Sequence, residues 1–497
     1  MRPLLLALAT LLLTAASASA EKYDHTVKSK ADGTNIVISV YKPDTATADR
    51  PVPVILHSHG WAGSRTSSAT AFQNEQRNGY AVVSIDQRGH GASGGQANVE
   101  DPDLEGQDVI SVVDYVASLP WVARNAGRPD DPVLFAMGGS YGGGYQFAGA
   151  FTELRDVGRT RFDALAPEIT WFNLSEALAP SKVVRTAWTA ALYAVGARML
   201  PQYIHEAFAF GATTGQWPDG TVPGLTNLDA EFFEHGPSGF VAKGLRLDIP
   251  VLIGQGLTDN LFNLNQGWKN FEQALTPSAR AKSLFVGYNG GHVLPNVLPL
   301  GTTGGADACS GEGGFGALRA RFFDAVRDRK PTQGLLPATY NMSTQTGTCI
   351  RTERLDDRTA FRLATPAPAT VTPTGAGAPQ HLEVAAGPLK VSGVPTLDAT
   401  VTSVGADQRV FFALSVGTNA ADAQVVQNNV MPLRELLPVV GAKRTVELPG
   451  VAVEVPAGKK LFLTISPVSD MFAGHGSTRT PGVVALQDLR LNVPVVR

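Results

Sequence analysis

The chain has 497 residues, of which 43% are hydrophobic and 17% are charged, and its formal net charge is −3. This length predicts about three domains with enough apolar residues for buried cores. A near-neutral balance without a basic tract argues against nucleic acid or an anionic membrane as the main partner. Only two cysteines are present, which excludes a disulfide framework and a four-thiolate metal site.

The first twenty residues have the pattern of a secretory signal peptide, which we assign to residues 1–20. Arg2 supplies a positive charge, Leu4–Leu13 is an almost unbroken apolar run, and Ala18–Ala20 is a small-residue cleavage pattern. The apolar run is short for a membrane span, and an uncleaved anchor is the alternative. We therefore expect a mature chain that starts at Glu21, is secreted or periplasmic, and has no stable membrane insertion.

From residue 35 to about residue 290 the chain alternates short β-branched runs with helical patterns. The continuous apolar runs are residues 52–56, 81–85, 133–137, 249–253 and 283–286. Such runs are typical of strands that are covered on both faces, as in a parallel sheet. Between the second and third runs, apolar residues recur at helical spacing. This alternation predicts an α/β fold with a doubly wound sheet.

One segment, residues 172–247, interrupts the alternation and contains no convincing strand. Its apolar residues recur at helical spacing, and they are Val184, Trp188, Ala191, Val195 and Met199. The segment is too long for a plain loop. We therefore expect a helical cap over the sheet, with an ordinary connecting helix pair as the alternative.

The sequence changes in character after residue 330. Residues 365–368 and 372–375 are rich in proline and threonine and are interpreted as a linker. Beyond them, short alternating runs such as 410–414 and 460–465 are separated by turn residues, which favours an all-β sandwich. We therefore expect an α/β domain over residues 21–345 and a β-sandwich over residues 360–497.

The expected export of the chain bears on its two cysteines, Cys309 and Cys349. An oxidising compartment permits a bond between them, and closing the loop would stabilise the fold by about 4 kcal/mol in the chain-entropy treatment. A free thiol and a metal ligand are the alternatives, but neither cysteine has a histidine or cysteine neighbour at metal-ligand spacing. We expect a structural disulfide.

A candidate nucleophile follows the third predicted strand. Residues 138–144 read Gly-Gly-Ser-Tyr-Gly-Gly-Gly, which contains G-x-S-x-G between a strand and a potential helix. A serine there lies on a sharp turn with its hydroxyl projecting beyond the sheet, and small neighbours let strand and helix pack closely. We assign Ser140 as a nucleophile, with a glycine-rich turn carrying an incidental serine as the alternative.

A serine nucleophile needs a histidine base and an acid that orients the base. In this type of sheet the acid and then the histidine follow the serine along the chain. Of the nine histidines, His292 alone lies just past a predicted core strand in the required position. Asp259 follows the strand 249–253 and is the preferred acid, with Glu168 as the competitor.

The tetrahedral intermediate of acyl transfer carries a negative charge that backbone N–H groups can stabilise. We assign one donor to Tyr141, directly after the nucleophile. The second donor is expected from the turn after the first central strand, where Gly60 permits a sharp turn, and we assign it to Trp61.

Four polar residues near the same strand ends suggest a metal site, and they are His57, His59, Asp86 and His90. The simpler interpretation is that His59 and Asp86 brace the loops beside the oxyanion turn. The chain contains no P-loop motif, and its glycine-rich stretch lacks the spacing of a dinucleotide-binding turn. We therefore expect no metal and no cofactor.

Together these segments resemble a known family. Residues 114–116, 119–122 and 137–143 read Asp-Tyr-Val, Leu-Pro-Trp-Val and Met-Gly-Gly-Ser-Tyr-Gly-Gly, which resemble the X-prolyl dipeptidyl peptidase and cocaine esterase family of α/β-hydrolases. Residues 389–395 and 455–461, with Ser469-Asp470, are similar to the jelly-roll domain of that family. The resemblance implies a hydrolase core, a helical cap and a jelly roll, with the triad Ser140, Asp259 and His292.

The chain departs from this family in the oxyanion turn. Many members use a tyrosine hydroxyl there, whereas this chain has Trp61. An indole cannot replace a phenol hydroxyl at that point, so a backbone donor is the better assignment. Because of this departure, the substrate preference of the family is a weaker guide to the substrate of this chain.

We therefore expect an exported serine hydrolase that cleaves a small-molecule ester or amide, or a short peptide, through an acyl-enzyme. Candidate residues of an apolar substrate pocket are Trp171, Phe172 and Trp188. One alternative is an X-Pro dipeptidyl peptidase, whose buried carboxylate for the substrate amine would come from Glu168, Glu176, Glu231 or Glu234. Another is a non-catalytic binding protein on a hydrolase scaffold. The sequence leaves the substrate and the oligomeric state open.

Overall fold

The computed structural model describes residues 21–371, 378–474 and 481–496. The predicted signal peptide and residues 372–375 of the predicted linker lie outside the described residues. Across the described ranges, no helix combines the length and the apolar character that a membrane crossing requires.

Ten strands form one mixed sheet in the first part of the chain. They are β1 (Glu21–Lys28), β2 (Asn35–Lys42), β3 (Val54–Ser58), β4 (Ala81–Ile85), β5 (Leu134–Gly139), β6 (Ala164–Glu168), β7 (Leu252–Gly256), β8 (Leu284–Tyr288), β9 (Tyr340–Ser343) and β10 (Cys349–Thr352). Their order is β1-β2-β4-β3-β5-β6-β7-β8-β9-β10. Strands β3 to β9 run parallel, and β1, β2 and β10 pair antiparallel. The strand order reverses between β3 and β5, which is where such sheets form ligand crevices.

Helices cover both faces of this sheet and extend over one edge of it. The α-helices of the described residues are α1 (Gln73–Arg77), α2 (Glu105–Ser118), α3 (Tyr141–Val157), α4 (Leu174–Leu178), α5 (Thr186–Gly196), α6 (Gln202–Thr214), α7 (Leu228–Glu234), α8 (Pro237–Ala242), α9 (Leu264–Gln273), α10 (Pro277–Arg280) and α11 (Gly314–Arg327). Short 3₁₀ helices lie at Pro180–Lys182, Ala197–Met199, Val426–Asn428 and Asp470–Phe472.

Both faces of the central strands are buried, as continuous apolar runs predict. Leu56 of β3 packs with Val112 of α2 in one core, whereas its neighbour Ile55 packs with Phe322 of α11 in the other. Successive side chains of a strand point to opposite faces, so a strand between two helical layers needs apolar residues at every position.

The five predicted core strands are confirmed; β4 has the predicted bounds, and the bounds of the other four are shifted by one to three residues. The run analysis did not identify the outer strands β1, β2, β9 and β10. The edge strands β1 and β10 are partly exposed, and in β1 Val27 alone is buried. Strands β2 and β9 lie inside the sheet and are mostly buried, and β9 has only four residues. Because β10 pairs with β9, the sheet of the α/β domain continues past residue 345 to Thr352.

Between β6 and β7 the chain forms the helices α4 to α8, which we call the cap. Helix α5 carries no charged residue, and helix α6 carries one acidic residue, Glu206, and one histidine, His205. The cap lies over the carboxyl ends of the sheet strands, since side chains of α5 and α6 line the same cavity as Ser140.

The C-terminal part of the chain is all-β and antiparallel. Its strands are β11 (Thr359–Arg362), β12 (Ala369–Val371), β13 (Gln380–Ala386), β14 (Leu389–Gly393), β15 (Thr396–Val404), β16 (Gln408–Gly417), β17 (Gln424–Val425), β18 (Met431–Glu435), β19 (Val439–Glu447), β20 (Val451–Val455), β21 (Lys460–Ser466), β22 (Gly482–Val493) and β23 (Val495–Val496). The sheets β11-β22-β15-β19 and β13-β21-β16-β17 share one apolar core with the sheet β20-β14-β23. The predicted all-β domain is confirmed, and jelly-roll connectivity stays a prediction.

Cys309 and Cys349 form a disulfide with their Cα atoms 5.3 Å apart. The bond ties the loop before α11 to the first residue of β10. The expected structural disulfide is therefore present, and it fastens the last strand of the ten-stranded sheet.

Candidate active site

Ser140 lies on the turn that joins β5 to α3. Its backbone has φ 59° and ψ −123°, a conformation that a residue with a side chain seldom adopts. The Ser140 N–H donates to the Glu168 carbonyl oxygen at 2.9 Å, which fixes the turn against the end of β6. The predicted sharp turn is thus present, with the hydroxyl at the carboxyl edge of the sheet.

Glycines around Ser140 are required because three backbone segments meet there. A Cβ on Gly142 would lie 2.5 Å from the Ser58 carbonyl oxygen at the end of β3. A Cβ on Gly138, whose φ is 149°, would collide with the Gly142 carbonyl oxygen. The motif is therefore a packing requirement of the strand-turn-helix.

His292 contacts both of the other predicted triad residues. Its Nε2 lies 2.7 Å from Ser140 Oγ, and its Nδ1 lies 2.7 Å from Asp259 Oδ2. A neutral imidazole that donates its Nδ1–H to the carboxylate leaves Nε2 as the acceptor for the serine proton. The three residues follow the parallel strands β5, β7 and β8, so they meet at one edge of the sheet.

The Asp259 carboxylate is fully buried and has several hydrogen-bond donors. Oδ1 accepts the backbone N–H groups of Leu261 at 3.0 Å and Phe262 at 2.7 Å, and Oδ2 accepts the His292 N–H at 3.0 Å. These bonds compensate for removing the charge from water. Glu168, the competing acid, instead contacts Arg319 at 3.1 Å and the Tyr288 hydroxyl at 3.3 Å.

A glycine pair before His292 lets the base approach the acid. Gly291 has φ 93°, and a Cβ there would lie 2.5 Å from Asp259 Oδ2. A Cβ on Gly256, at the end of β7, would collide with the Gly290 carbonyl oxygen. Side chains at these positions would separate the loops that carry Asp259 and His292.

Two backbone N–H groups are available beside Ser140. Among the residues that the structure describes, the N–H groups of Trp61 and Tyr141 have no hydrogen-bond acceptor. Tyr141 is the first residue of α3, whose positive dipole end favours a negative charge. A Cβ on Gly60 would lie 3.9 Å from Ser140 Cβ, so the turn that carries Trp61 lies next to the nucleophile.

The Trp61 side chain belongs to the contact between this turn and the cap. Its Nε1–H donates to the Leu192 carbonyl oxygen of α5 at 3.0 Å, and its ring packs edge-on against Tyr141 at 5.1 Å. A Cβ on Gly196 would collide with the ring. The indole N–H is thus occupied, which leaves the backbone as the oxyanion donor of this residue.

The polar residues beside the oxyanion turn brace its loops. His59 Nε2 accepts the Gln87 N–H at 3.2 Å, and its Nδ1 lies 2.8 Å from the Gly60 carbonyl oxygen. Asp86 binds Arg65 and the Ala92 N–H. Burial lowers the pKa of His57 and of His90 to about 4. In the part of the chain that the structure describes, no cluster of three metal-ligating side chains is found.

A cavity of about 370 Å³ extends from Ser140 into the space under the cap. Helices α4 to α7 and the segments that join them form most of its wall, and Ala473 and Gly474 of the β domain close one side. The wall is mostly apolar, and its aromatic members are Trp61, Tyr141, Trp171, Tyr193, Phe208, Trp217, Phe232 and Phe262.

The three predicted pocket residues occupy different places. Trp171 lines the cavity. Phe172 is buried away from the wall, with its N–H donating to Gln266 Oε1 at 2.9 Å, so its assignment is corrected. Trp188 does not line the cavity either, because its indole turns toward the triad. Its ring lies edge-on 5.9 Å from His292, and its Nε1–H donates to Asn260 Oδ1 at 2.9 Å.

Sequence reasoning missed several residues of this site. Leu261 and Phe262 hold the Asp259 carboxylate, and an aspartate followed by a turn is a signal that could have identified them. Tyr193 and Phe208 stack with ring centroids 3.6 Å apart and join α5 to α6 across the cavity wall. No local pattern identifies that pair, since their helices meet only in the folded chain.

Parts of the chain are similar in sequence to known proteins. Residues 32–219 match the family described as X-Pro dipeptidyl-peptidase (S15 family). An uncharacterised 31.7 kDa protein of Escherichia coli, encoded in the traX-finO intergenic region, is 29% identical over 104 residues. That match covers 21% of this chain, which spans about a third (34%) of the relative's length.

Three solved structures share the architecture over nearly the whole chain. The chain is similar to a CocE/NonD family hydrolase from Staphylococcus aureus, with a TM-score of 0.63, 13% identity and coverage of 96% and 94% of the two chains. An aminopeptidase from the marine sediment archaeon Thaumarchaeota archaeon has a TM-score of 0.67, 15% identity and coverage of 97% of both chains. An α-amino acid ester hydrolase has a TM-score of 0.62, 13% identity and coverage of 100% and 98%.

These structural similarities establish the fold, which is an α/β-hydrolase with a C-terminal β domain. The family match over residues 32–219 includes the nucleophile motif, the oxyanion turn and part of the cap. The family match agrees with the predicted resemblance to the X-prolyl dipeptidyl peptidase and cocaine esterase family over this part of the chain.

Proposed function

We propose that this protein is an exported serine hydrolase that cleaves a carboxyl ester or amide, with Ser140 as nucleophile, His292 as base and Asp259 as the orienting acid. The observation that carries the proposal is the chain of two 2.7 Å contacts from Ser140 Oγ through His292 to Asp259 Oδ2. Nucleophile, base and orienting group within hydrogen-bond reach of one another are the signature of covalent acyl transfer.

The reaction follows from this geometry in two halves. As Ser140 Oγ attacks the substrate carbonyl carbon, its proton passes to His292 Nε2, and the carbonyl oxygen becomes an oxyanion beside the Trp61 and Tyr141 N–H groups. When the intermediate collapses, the bond to the leaving group breaks, and His292 returns the proton to the departing alcohol or amine. Water then attacks the acyl-enzyme with His292 again as base, which releases the acid and restores Ser140.

Export is part of the proposal and has its own support. The first twenty residues have the composition of a signal peptide. The Cys309–Cys349 disulfide suits an oxidising compartment, because cytosolic thiols are kept reduced. Secreted and periplasmic locations are both compatible with these two features.

The family match favours one second candidate, an X-Pro dipeptidyl peptidase. That activity uses the same acyl transfer on the amide after proline, and it also needs a group that binds the free amine of the substrate. A non-catalytic binding protein is disfavoured, because His292 lies within hydrogen-bond reach of both Ser140 and Asp259.

Replacement of Ser140 by alanine tests the proposal. Turnover of p-nitrophenyl butyrate is expected to fall by about 10⁶-fold, the order seen when the nucleophile of a triad is removed, while the thermal unfolding midpoint stays close to that of wild type. Ser118→Ala is the matched control, because Ser118 is exposed on α2 and remote from the triad. Substantial hydrolysis by folded Ser140→Ala would overturn the assignment. Parallel assays with an X-Pro p-nitroanilide distinguish the second candidate.

A further inference from the structure

We propose that the cavity beside Ser140 holds an uncharged, apolar acyl group, so that the enzyme hydrolyses esters of hydrophobic acids and discriminates against substrates with a free α-amino group. The inference rests on the proposed function and specifies the substrate class of the same site. It separates this chain from those of its structural neighbours whose names denote an aminopeptidase and an α-amino acid ester hydrolase.

The cavity wall contains no charged side chain among the residues that the structure describes. Apart from the aromatic residues, its side chains are mainly aliphatic, and they include Leu174, Leu178, Leu192, Leu200, Ile204 and Leu261. An ammonium group in such surroundings would lose its water shell without gaining a carboxylate. An alkyl or aryl group loses no polar contact there and gains burial of its apolar surface.

Three polar side chains of the wall are already hydrogen-bonded to the protein, whereas the buried Tyr141 hydroxyl has no hydrogen-bond partner among the described residues. Thr189 Oγ1 donates to the Arg185 carbonyl oxygen at 3.2 Å. The Gln216 side chain accepts a bond from Arg434 of the β domain at 2.6 Å. The Tyr193 hydroxyl lies 2.8 Å from His205 Nδ1. These groups therefore have partners of their own and do not form a receptor for an amine.

The carboxylates considered for an amine site are engaged elsewhere. Glu168 contacts Arg319 at 3.1 Å, and Glu176 contacts Lys269 at 3.3 Å. Glu231 lies 3.8 Å from His235 Nε2, and Glu234 binds Lys243. None of the four lines the cavity. Three of the four are thus paired with a basic group of the protein, and all four lie outside the space that a substrate would occupy.

Glu100 is the remaining acid close to the site, and it does not supply an amine receptor. Its neighbour Val99 lines the cavity, but Glu100 itself packs behind the wall against Gly144 of α3, beside Trp171. Burial, reinforced by the negative charge of Glu105, holds the pKa of the Glu100 carboxyl well above its ordinary value. Glu100 is therefore buried behind the wall and does not line the lumen of the cavity.

A matched pair of substrates tests the inference directly. Methyl 3-phenylpropanoate and phenylalanine methyl ester differ only by the amino group on the α-carbon. We expect kcat/KM at least 100-fold higher for the substrate without the amine, and a rise of at least tenfold from p-nitrophenyl acetate to p-nitrophenyl octanoate. Equal or better hydrolysis of phenylalanine methyl ester, or no rise with chain length, would overturn the inference.

Two variants of one wall residue assign the preference to the cavity. Thr189→Asp introduces a carboxylate into the wall on α5, and Thr189→Asn introduces a side chain of the same size without the charge. The aspartate variant should raise the ratio of phenylalanine methyl ester to methyl 3-phenylpropanoate hydrolysis at least tenfold above that of the asparagine variant. Thermal unfolding of both proteins checks that they fold. Equal ratios in two folded variants would count against the cavity as the acyl site.

Binding to the Ser140→Ala protein separates this inference from the proposed function. Octanoate is expected to raise its thermal unfolding midpoint, whereas 2-aminooctanoate at the same concentration is expected to have little effect. Ester hydrolysis that depends on Ser140 but prefers the amino substrates would leave the proposed function intact and refute the acyl site. Octanoate binding without any ester hydrolysis by wild type would refute the proposed function and leave the acyl site intact.

Discussion

Two regions of the molecule meet at Ser140. One is the catalytic corner, formed by Ser140, Asp259 and His292 with their turns, and the other is the cap cavity. The two regions differ in the kinds of side chain that form them. In the corner each polar side chain is held by short hydrogen bonds, and glycines let the backbones approach. The cavity is formed by apolar and aromatic side chains, mostly from α4 to α7 and the segments that join them, with no charged group in the described wall. The difference teaches that the corner determines the chemistry and the cavity determines the substrate.

After Ser140→Ala, the largest effect is expected from Asp259→Asn, which removes the carboxylate that orients His292. An amide at this position favours the wrong imidazole tautomer, so kcat should fall by about 10⁴-fold for every ester. Asp248→Asn is the control, because Asp248 lies before β7 and binds Thr276 and Ser278 instead. Initial rates with p-nitrophenyl acetate and octanoate measure the effect. A loss that differs strongly between these esters would contradict the separation of the two regions.

Acid is expected to destabilise the corner through His90, which packs against His59, Trp61 and Tyr141 beside the oxyanion turn. Burial lowers the pKa of His90 from its ordinary value of 6.5 to about 4, and Asp86 opposes the shift only in part. Between these values the unfolded chain binds a proton that the folded protein excludes. The stabilising contribution is therefore complete above pH 6.5 and is lost as the pH falls toward 4, with an upper limit of about 3 kcal/mol.

Urea unfolding at pH 7 and pH 4.5 measures this dependence. The loss of unfolding free energy on acidification should be about 2 kcal/mol smaller in His90→Gln than in wild type. The control His25→Gln changes an exposed residue of β1 and should keep the wild-type loss. Identical losses in His90→Gln and wild type would show that protonation of His90 does not contribute to the loss of unfolding free energy in acid.

A smaller effect is expected from Gly291→Ala, which tests the backbone packing of the corner. The new methyl group would lie 2.5 Å from Asp259 Oδ2 at a φ of 93°, so Asp259 and His292 must move apart. Displacement of catalytic groups on this scale lowers kcat by about 100-fold. Gly316→Ala is the control, because a Cβ there meets no atom within 4 Å. A Gly291→Ala enzyme with nearly wild-type kcat would indicate that the loops tolerate the side chain.

The smallest effect is expected from Trp188→Phe at the boundary between the two regions. The change removes the 2.9 Å bond to Asn260 and keeps an aromatic ring near His292. Loss of about 1 kcal/mol should lower kcat about fivefold. Because Trp188 acts on the triad and does not line the cavity, the factor should be the same for acetate and octanoate esters. Trp268→Phe on α9 is the control. A changed acetate-to-octanoate ratio in Trp188→Phe would assign Trp188 to the substrate site.

The catalytic corner could be predicted from the sequence because its determinants are local. The turn at Ser140 requires glycines two residues before and after it, since any Cβ there would overlap another backbone segment. Asp259 and His292 each follow a core strand closely, and parallel strands bring their carboxyl ends together. Chain order and strand position were therefore sufficient to select these two residues.

The cap cavity could not be predicted in the same way because its wall is assembled from distant segments. Helical periodicity identified the cap but did not show which side of α5 faces Ser140, so Trp188 was expected at the wall and instead contacts His292. Phe172 is adjacent to Trp171, yet only Trp171 lines the cavity. Ala473 and Gly474 reach it from the β domain, and nothing in their local sequence indicates this.

The most direct measurement is the position of a covalent label after reaction with a fluorophosphonate, located by mass spectrometry of proteolytic peptides. The account predicts one phosphonyl group per chain on Ser140, slower labelling in Asp259→Asn, and protection by octanoate. A label on another residue, or a folded wild-type protein that remains unlabelled, would contradict the assignment of Ser140 as the activated nucleophile.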